Sequence, residues 1–235
     1  MPAAPIHLRP ATELAERVLL PGDPHRALAV AQAILEGPRM FNHSRGLWGY
    51  TGTAADGALL TVQSTGMGGP SAAIVVEELI DLGAHTLIRI GTCGALGPGF
   101  ALGELVAASE VLGFDGASAA LGAGRGLTPD ARLTAGLAAA GARQASVVST
   151  DLFYDPRAGI EREWRQSGAE VVEMEAAALL AIADRRRVRA AVLLAVTDQL
   201  EGGARRRIEG EELEQAGVSL GETAFEALSA AEVSP

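Results

Sequence analysis

The chain has 235 residues, a formal net charge of −10, 48% hydrophobic and 20% charged residues, and one cysteine. That length suits a large domain with a full core, and the composition excludes a disordered chain. An acidic chain without a single lysine argues against nucleic acid as a partner, and no apolar run reaches the roughly 18 residues of a membrane helix. The lone Cys93 forms no internal disulfide and is expected in a reducing cytoplasm. Met1 to Pro5 carry no basic-then-apolar signal pattern.

Arg17 to Leu20 is predicted as the first strand, stopped by Pro21-Gly22-Asp23-Pro24. Asp23 is a good N-cap and Pro24 a good first helical residue, so an Ala-rich amphipathic helix is expected to about Leu35. Its free N–H groups suit an anion, with Arg26 in the first turn. Read alone, the segment is more simply a capped helix with a surface arginine. Phe41 to Gly46 reads as a polar turn, Leu47 to Thr53 as a strand, Asp56-Gly57 as a hairpin turn and Ala58 to Ser64 as the return strand. A glycine-rich loop, Thr65 to Pro70, then opens a helix over Ser71 to Leu82, which Gly83 ends. Strand, glycine loop and helix in succession imply an α/β sheet with ligands near the carboxyl ends of its strands. The loop matches neither the dinucleotide fingerprint nor a lysine-bearing P-loop.

Thr86 to Ile90 is expected as a buried strand that turns at Gly91-Thr92-Cys93-Gly94. Arg89 within it cannot shed its charge, so its burial demands an anion or a carboxylate partner. Beside a glycine turn and a hydroxyl it suits an oxyanion such as phosphate. The alternative is an edge-strand arginine that reaches water or a nearby acid. Glu104 to Ala108 is predicted as a strand, Gly113 to Gly126 as a surface loop, Ala131 to Ala142 as a helix and Ser146 to Thr150 as a strand. In the loop from Asp151 to Pro156, Phe153 and Tyr154 either stack a flat ligand or plug the core.

Glu173 and Glu175 precede an almost wholly apolar helix, Ala176 to Ala183. They gain there from the helix dipole. So apolar a helix is also interior, which puts Glu175 where it accepts hydrogen bonds from a polyhydroxyl ligand. Ala190 to Val196 reads as a central strand ending in Thr197-Asp198-Gln199, and an acid at such a tip is a common general acid. Arg185 to Arg187 reads as a solvated helix end, Arg205 to Arg207 is a second basic cluster, and Glu209 to Leu228 is a closing amphipathic helix. No repeat or linker divides the chain, so one domain is expected over residues 1–235.

A phosphate set (Gly22, Arg26, Arg89, Thr92), a hydroxyl acceptor (Glu175), an aromatic wall (Phe153) and an acid (Asp198) together suit a reaction of a sugar, a flat base and phosphate. The motifs Gly22-Asp23-Pro24-x-Arg26, Asn42-x-x-Arg45-Gly46, Ser64 to Ser71, Arg89 to Gly94, Asp151 to Tyr154 and Val172-Glu173-Met174-Glu175 run in order over nearly the whole chain. In these the chain resembles the nucleoside phosphorylases of the bacterial hexameric type, which include the purine and the uridine enzymes. The resemblance implies an α/β domain around a mixed, partly barrel-like sheet, and cleavage of a nucleoside by inorganic phosphate to free base and (deoxy)ribose 1-phosphate. Phosphate is a co-substrate, and no cofactor or metal is implied. Gly22, Arg26, Arg89, Ile90, Gly91 and Thr92 would hold the phosphate, joined by Arg45 from a neighbouring subunit. His7 of the neighbour would meet the ribose, which Met174 and Glu175 hold. Met67, Cys93, Gly94, Phe153, Val172, Glu173 and Thr197 would complete the nucleoside site.

Asp198 would protonate the purine as it leaves, which calls for a buried acid. Sites shared between subunits imply a homo-oligomer, expected as a hexamer built of three dimers, working in the cytoplasm on purine nucleoside and phosphate. The acid at position 198 and the absence of a glutamine-arginine pair after Tyr154 favour purines. The Ser64–Ser71 loop and Asp115 to Ser118 look more like the uridine branch, which stays the alternative, together with a non-catalytic nucleoside-binding protein. The helper arginine that purine enzymes bring towards the acid falls at Glu211 by straight spacing, with Arg205, Arg206 or Arg207 as substitutes.

Overall fold

The computed structural model describes residues 5–201 and 204–233; the signal-pattern reading of the first residues falls partly outside that range. Its strands are β1 (Arg17–Leu20), β2 (Glu36–Asn42), β3 (Gly49–Thr53), β4 (Leu59–Gln63), β5 (Thr86–Ala95) and β6 (Leu105–Phe114). They continue with β7 (Gly126–Leu127), β8 (Arg143–Thr150), β9 (Val171–Glu173), β10 (Arg189–Glu201) and β11 (Ala204–Arg207). The helices are α1 (Pro24–Ile34), α2 (Gly69–Asp81), α3 (Gly116–Ala120), α4 (Ala131–Ala139), α5 (Ile160–Gln166), α6 (Ala176–Arg186) and α7 (Glu211–Val233).

All eleven strands form one mixed sheet, and five of them close on themselves. β5 pairs with β10 in parallel and with β9 antiparallel, β9 and β6 each flank β8 in parallel, and β6 returns antiparallel to β10. From β5 the sheet also runs outward through β1, β4, β3 and β2 as an open wing. The expected α/β domain with a mixed, partly barrel-like sheet is therefore present.

Helices cover both faces of this sheet, so its central strands carry no polar side and read as unbroken apolar runs. Along β5, Leu87, Cys93 and Ala95 join a core with α2 and α6, while Ile88 and Ile90 join a second core with α1, α4 and α7. Each fully buried Leu or Ile in these layers is worth roughly 1.5–3 kcal/mol. Helix α6 is apolar all round because every residue from Ala176 to Ala183 is buried. Helix α1 starts where expected: Asp23 accepts from the Arg26 N–H at 2.8 Å and Pro24 opens the first turn. Among the described residues no helix is long and apolar enough to cross a membrane.

Several expectations need correction. Gly91 to Gly94 do not turn; they continue β5, held between β10 and β9. Gly91 is small for a different reason, since a Cβ there would lie 2.6 Å from Arg89 Nη2. The stretch from Gly113 to Gly126 is not a plain loop: it ends β6, carries α3 and starts β7. Phe41 and Asn42 end strand β2, which has glycine and proline near its start and no clean alternation, and only Ser44–Gly46 form a tight 3-10 turn. Asp198 lies inside β10 rather than at its tip, because β11 folds back and prolongs the ladder.

Candidate active site

The carboxyl ends of β1, β5, β8 and β10 open into a cleft of about 1340 Å³, roofed by the first turns of α1 and α7 and by the loop after β8. That is where parallel strands of an α/β sheet present ligand groups. Its floor is crossed by backbones in close approach. The Gly66 N–H donates to the Gly22 carbonyl at 3.0 Å, and a Cβ on Gly22 would lie only 3.2 Å from the Gly66 oxygen.

Arg89 is the best-anchored group of the cleft. Its side chain is 6% exposed; Nε donates to Glu173 Oε2 at 2.8 Å and Nη2 is ion-paired with Glu175 Oε2. Nη1 is buried with no hydrogen-bond partner among the described residues. Burial works against the guanidinium's charge, but Glu175 and Glu173 outweigh it and hold Arg89 protonated above the ordinary arginine range. One guanidinium cannot fully neutralise two buried carboxylates. Burial therefore pushes Glu175 above the usual carboxylate range, with Arg89 opposing and Glu173 reinforcing the shift. Arg26 lies close enough to feel both Arg89 and Glu175; burial lowers its pKa and Asp23 offsets part of this.

Glu173 proves to be a foundation more than a ligand group. Its carboxylate is completely buried and accepts from Arg89, from the backbone N–H groups of Glu175 and Ala176 at 2.9 and 3.0 Å, and from Ser149 Oγ. It thus caps the start of α6 and pins Arg89 at once, and with the side chain sealed only its backbone reaches the cleft. Glu175 keeps one carboxylate oxygen on the Gly68 N–H at 2.5 Å and the other on Arg89. Both glutamates stand at the start of α6, as the dipole reading has it, and Glu175 lines the cleft.

Across the cleft, Asp198 is 5% exposed. A register shift between Val196 and Asp198 bulges Thr197 out of the β5–β10 ladder and sets Asp198 opposite Gly94. Thr197 Oγ1 lies 2.9 Å from Asp198 Oδ2 and 3.5 Å from the Cys93 carbonyl. In the β10–β11 hairpin Arg207 stands directly opposite Asp198, with Nη1 3.8 Å from Oδ1. Among the described side chains Arg207 is the arginine paired with the acid, while Glu211 lines the same cleft from α7; the Arg205 side chain lies outside the described residues.

Of the predicted site residues, Gly22, Arg26, Met67, Arg89, Thr92, Cys93, Gly94, Phe153, Val172, Glu173, Met174, Glu175 and Asp198 come together on this cleft. Burial pushes the Cys93 thiol far up, so it is an inert wall group. Phe153 and Tyr154 are 47% and 89% exposed and meet edge to face, which overturns the core-plug alternative. Ile90, Gly91 and Thr197 are buried in their strands and do not reach the cleft surface. His7 and Arg45 also lie off it: His7 Nδ1 contacts Glu78 at 2.7 Å, and Arg45 is exposed with a left-handed φ of 59°.

Sequence reading missed Trp164, Ile160 and Glu161 of α5, Leu200 of β10 and the front of α7, all of which line the cleft. The Ile160–Trp164 pair at helical spacing was the available signal for α5.

The family model described as "Phosphorylase superfamily" matches residues 16–231. A protein of Roseobacter denitrificans named purine nucleoside phosphorylase DeoD-type is 37% identical over 224 residues, which cover 92% of this chain and 94% of that protein. Proteins of the same name from Geobacillus kaustophilus and Caldanaerobacter subterraneus subsp. tengcongensis are each 38% identical, over 203 and 200 residues. Those matches cover 81% of this chain in both cases, and 84% and 86% of the respective relatives. With its β5–β10 barrel, its glycine-lined strand ends and these matches over almost its whole length, the chain belongs to the phosphorylase superfamily.

Proposed function

We propose that this protein is a purine nucleoside phosphorylase: it cleaves purine (deoxy)ribonucleosides with inorganic phosphate to free base and (deoxy)ribose 1-phosphate. The observation that carries this reading is the pairing, in one cleft, of the buried Arg89 and the half-buried Arg26 with a buried acid on the facing wall. The purine specificity named for its relatives agrees with it.

Phosphate docks between Arg26, the backbone around Gly22, Thr92 and the unpartnered Nη1 of Arg89. Phosphate oxygen attacks C1′ of the sugar as the bond to N9 of the base breaks, through an oxocarbenium-like state that the anion stabilises. Electrons of the breaking bond move into the purine, and N7 takes a proton from Asp198. Arg207 then faces the carboxylate that remains. Glu175 accepts from the ribose hydroxyls beside Met174, while Gly94, Val172 and Phe153 border the base. Phosphate is consumed as a co-substrate, and the step needs no cofactor or metal.

His7 and Arg45, which lie off the cleft of their own chain, serve the site of an adjacent subunit. The working form is accordingly a homo-oligomer with shared sites, a hexamer of three dimers. Its substrates and the lone buried thiol suit the cytoplasm.

The test is release of free base from inosine, guanosine, adenosine and uridine, each with and without phosphate. Phosphate-dependent release from purine nucleosides is expected. Release from uridine alone, or release that ignores phosphate, overturns the reading.

A further inference from the structure

We propose that Asn42 is a positioning residue: its buried amide holds the Ser44–Gly46 turn in the shape that presents Arg45 to the phosphate of an adjacent subunit. This rests on the shared-site reading of Arg45. The turn itself is an outlier. Arg45 has φ 59° and ψ 19°, and Gly46 follows it at φ 70°. A residue with a Cβ takes the left-handed region at a cost and keeps it only where its surroundings over-determine it. Arg45 is also exposed, and its guanidinium has no ion pair or hydrogen bond among the described residues. A cation fixed in this way suits an anion supplied from outside its own fold.

Asn42 supplies the constraint. It ends β2, is fully buried, and uses every hydrogen-bonding position of its amide. Oδ1 accepts from the Ser44 N–H at 3.3 Å and from the Arg9 N–H at 2.9 Å. Nδ2 donates to the Ser44 carbonyl at 3.4 Å and to the Leu47 carbonyl. One side chain therefore grips the backbone on both sides of Arg45-Gly46. The Gln63 amide, equally buried, donates to the same Leu47 carbonyl at 3.0 Å and roots the grip in β4. The bond to Arg9 adds the segment that bears His7, so both side chains assigned to the adjacent site stand on one pin.

The residue type matters here. An aspartate of the same shape only accepts, and would set a carboxylate against the Ser44 and Leu47 carbonyls. A serine is too short to reach both sides of the turn.

The test is the KM for phosphate in phosphorolysis of inosine by the full chain. Arg45→Ala is expected to raise it roughly tenfold, the weight of one charge-assisted hydrogen bond. Asn42→Ser removes the amide, and Gly46→Ala resists the left-handed φ. They are expected to raise the same KM about fivefold and about threefold, with kcat at saturating phosphate within about twofold of wild type. Gly46→Ala disturbs no packing, because a Cβ there would meet nothing within 4 Å, and it decides the matter alone if Asn42→Ser fails to fold. In the Arg45→Ala background each of the two should change the KM by less than about twofold.

A phosphate KM that Arg45→Ala raises but neither Asn42→Ser nor Gly46→Ala moves sinks the pin and leaves the shared site standing. Losses that recur in full in the Arg45→Ala background make Asn42 a structural residue only and overturn the inference. An unchanged phosphate KM in Arg45→Ala, or a wild type that uses no phosphate, fells the reading beneath and the pin with it.

Discussion

Arg89 and Arg207 each face a carboxylate of the same cleft, and they are held in opposite ways. Arg89 sits in a strand paired on both sides, β1 and β10, with its guanidinium between two buried glutamates. Arg207 sits on a four-residue hairpin strand, 44% exposed, and approaches Asp198 only to 3.8 Å. The first wall is assembled before any substrate arrives, and the Arg89 charge is countered within the protein. On the second, the arginine side chain is half open to solvent. Such a division suits a reaction in which an anion and a sugar must be positioned rigidly while the leaving base is protonated and let go.

The contrast is sharpest if the half-open wall carries chemistry and the fixed wall carries stability. Asp198→Asn is expected to lower kcat for phosphorolysis by roughly 10²–10⁴-fold, the usual weight of a general acid. Its melting temperature should stay near that of wild type; a large loss of stability would make Asp198 a structural acid instead. Glu173→Ala should show the converse. It strips Arg89 and the α6 start of their shared acceptor, and breaking a buried pair costs roughly 3–5 kcal/mol in urea unfolding. An unfolding midpoint unchanged from wild type would refute the foundation role of Glu173.

A third prediction concerns what steadies α7, whose front lines the cleft. Its far end is tied to the β3–β4 hairpin: Asp56 accepts from Arg17 Nη1 at 2.5 Å and from Ser229 Oγ at 3.2 Å, and Arg17 lies over the Phe225 ring. The Arg17 hydrogen bonds draw the Asp56 carboxyl down to about 2. A depressed carboxyl contributes stability that is full above its unfolded value near 4 and lost as pH falls towards 2. Solvent screening at this exposed carboxyl reduces the linkage to about 1 kcal/mol, so Asp56→Asn should lose up to that much at pH 7 and show a shallower decline of stability between pH 4 and 2. An identical acid profile in the variant would remove the tie.

The smallest effect is expected for Arg207→Ala. A half-exposed pair contributes about 0–1 kcal/mol, so stability should hardly move. Turnover should fall about tenfold in wild-type background and scarcely at all in Asp198→Asn, the mark of residues acting through one another. An effect that survives in Asp198→Asn would assign Arg207 to some other task.

Much of this fold was legible because its strongest elements are local. Asp23-Pro24 writes a helix start, Asp56-Gly57 a hairpin, and Ala176 to Ala183 an interior helix. What escaped reading depends on distant pairing. Gly91 to Gly94 look like a turn in isolation, and only β9 and β10 alongside them make them a strand. The second arm of the β10–β11 hairpin is nothing but an alanine and three arginines, and the partner strand alone sets Arg207 against Asp198.

The site shows the same limit. That Arg89 needed a counter-charge follows from its being an arginine in an apolar run. That Glu173 is sealed beneath it as a helix cap, leaving Glu175 to face the cleft, follows from the packing of α6 on β5 and β8. Trp164 went unnoticed because an apolar pair on a seven-residue helix reads as packing.

The most direct test of the central claim follows the phosphorus. Incubating the protein with inosine and phosphate under ³¹P NMR should convert the inorganic phosphate signal, one for one with hypoxanthine release, into that of ribose 1-phosphate. Hypoxanthine released with the phosphate signal unchanged and free ribose in solution would make the cleft hydrolytic, and the reading of Arg26 and Arg89 as holders of the attacking phosphate would fall.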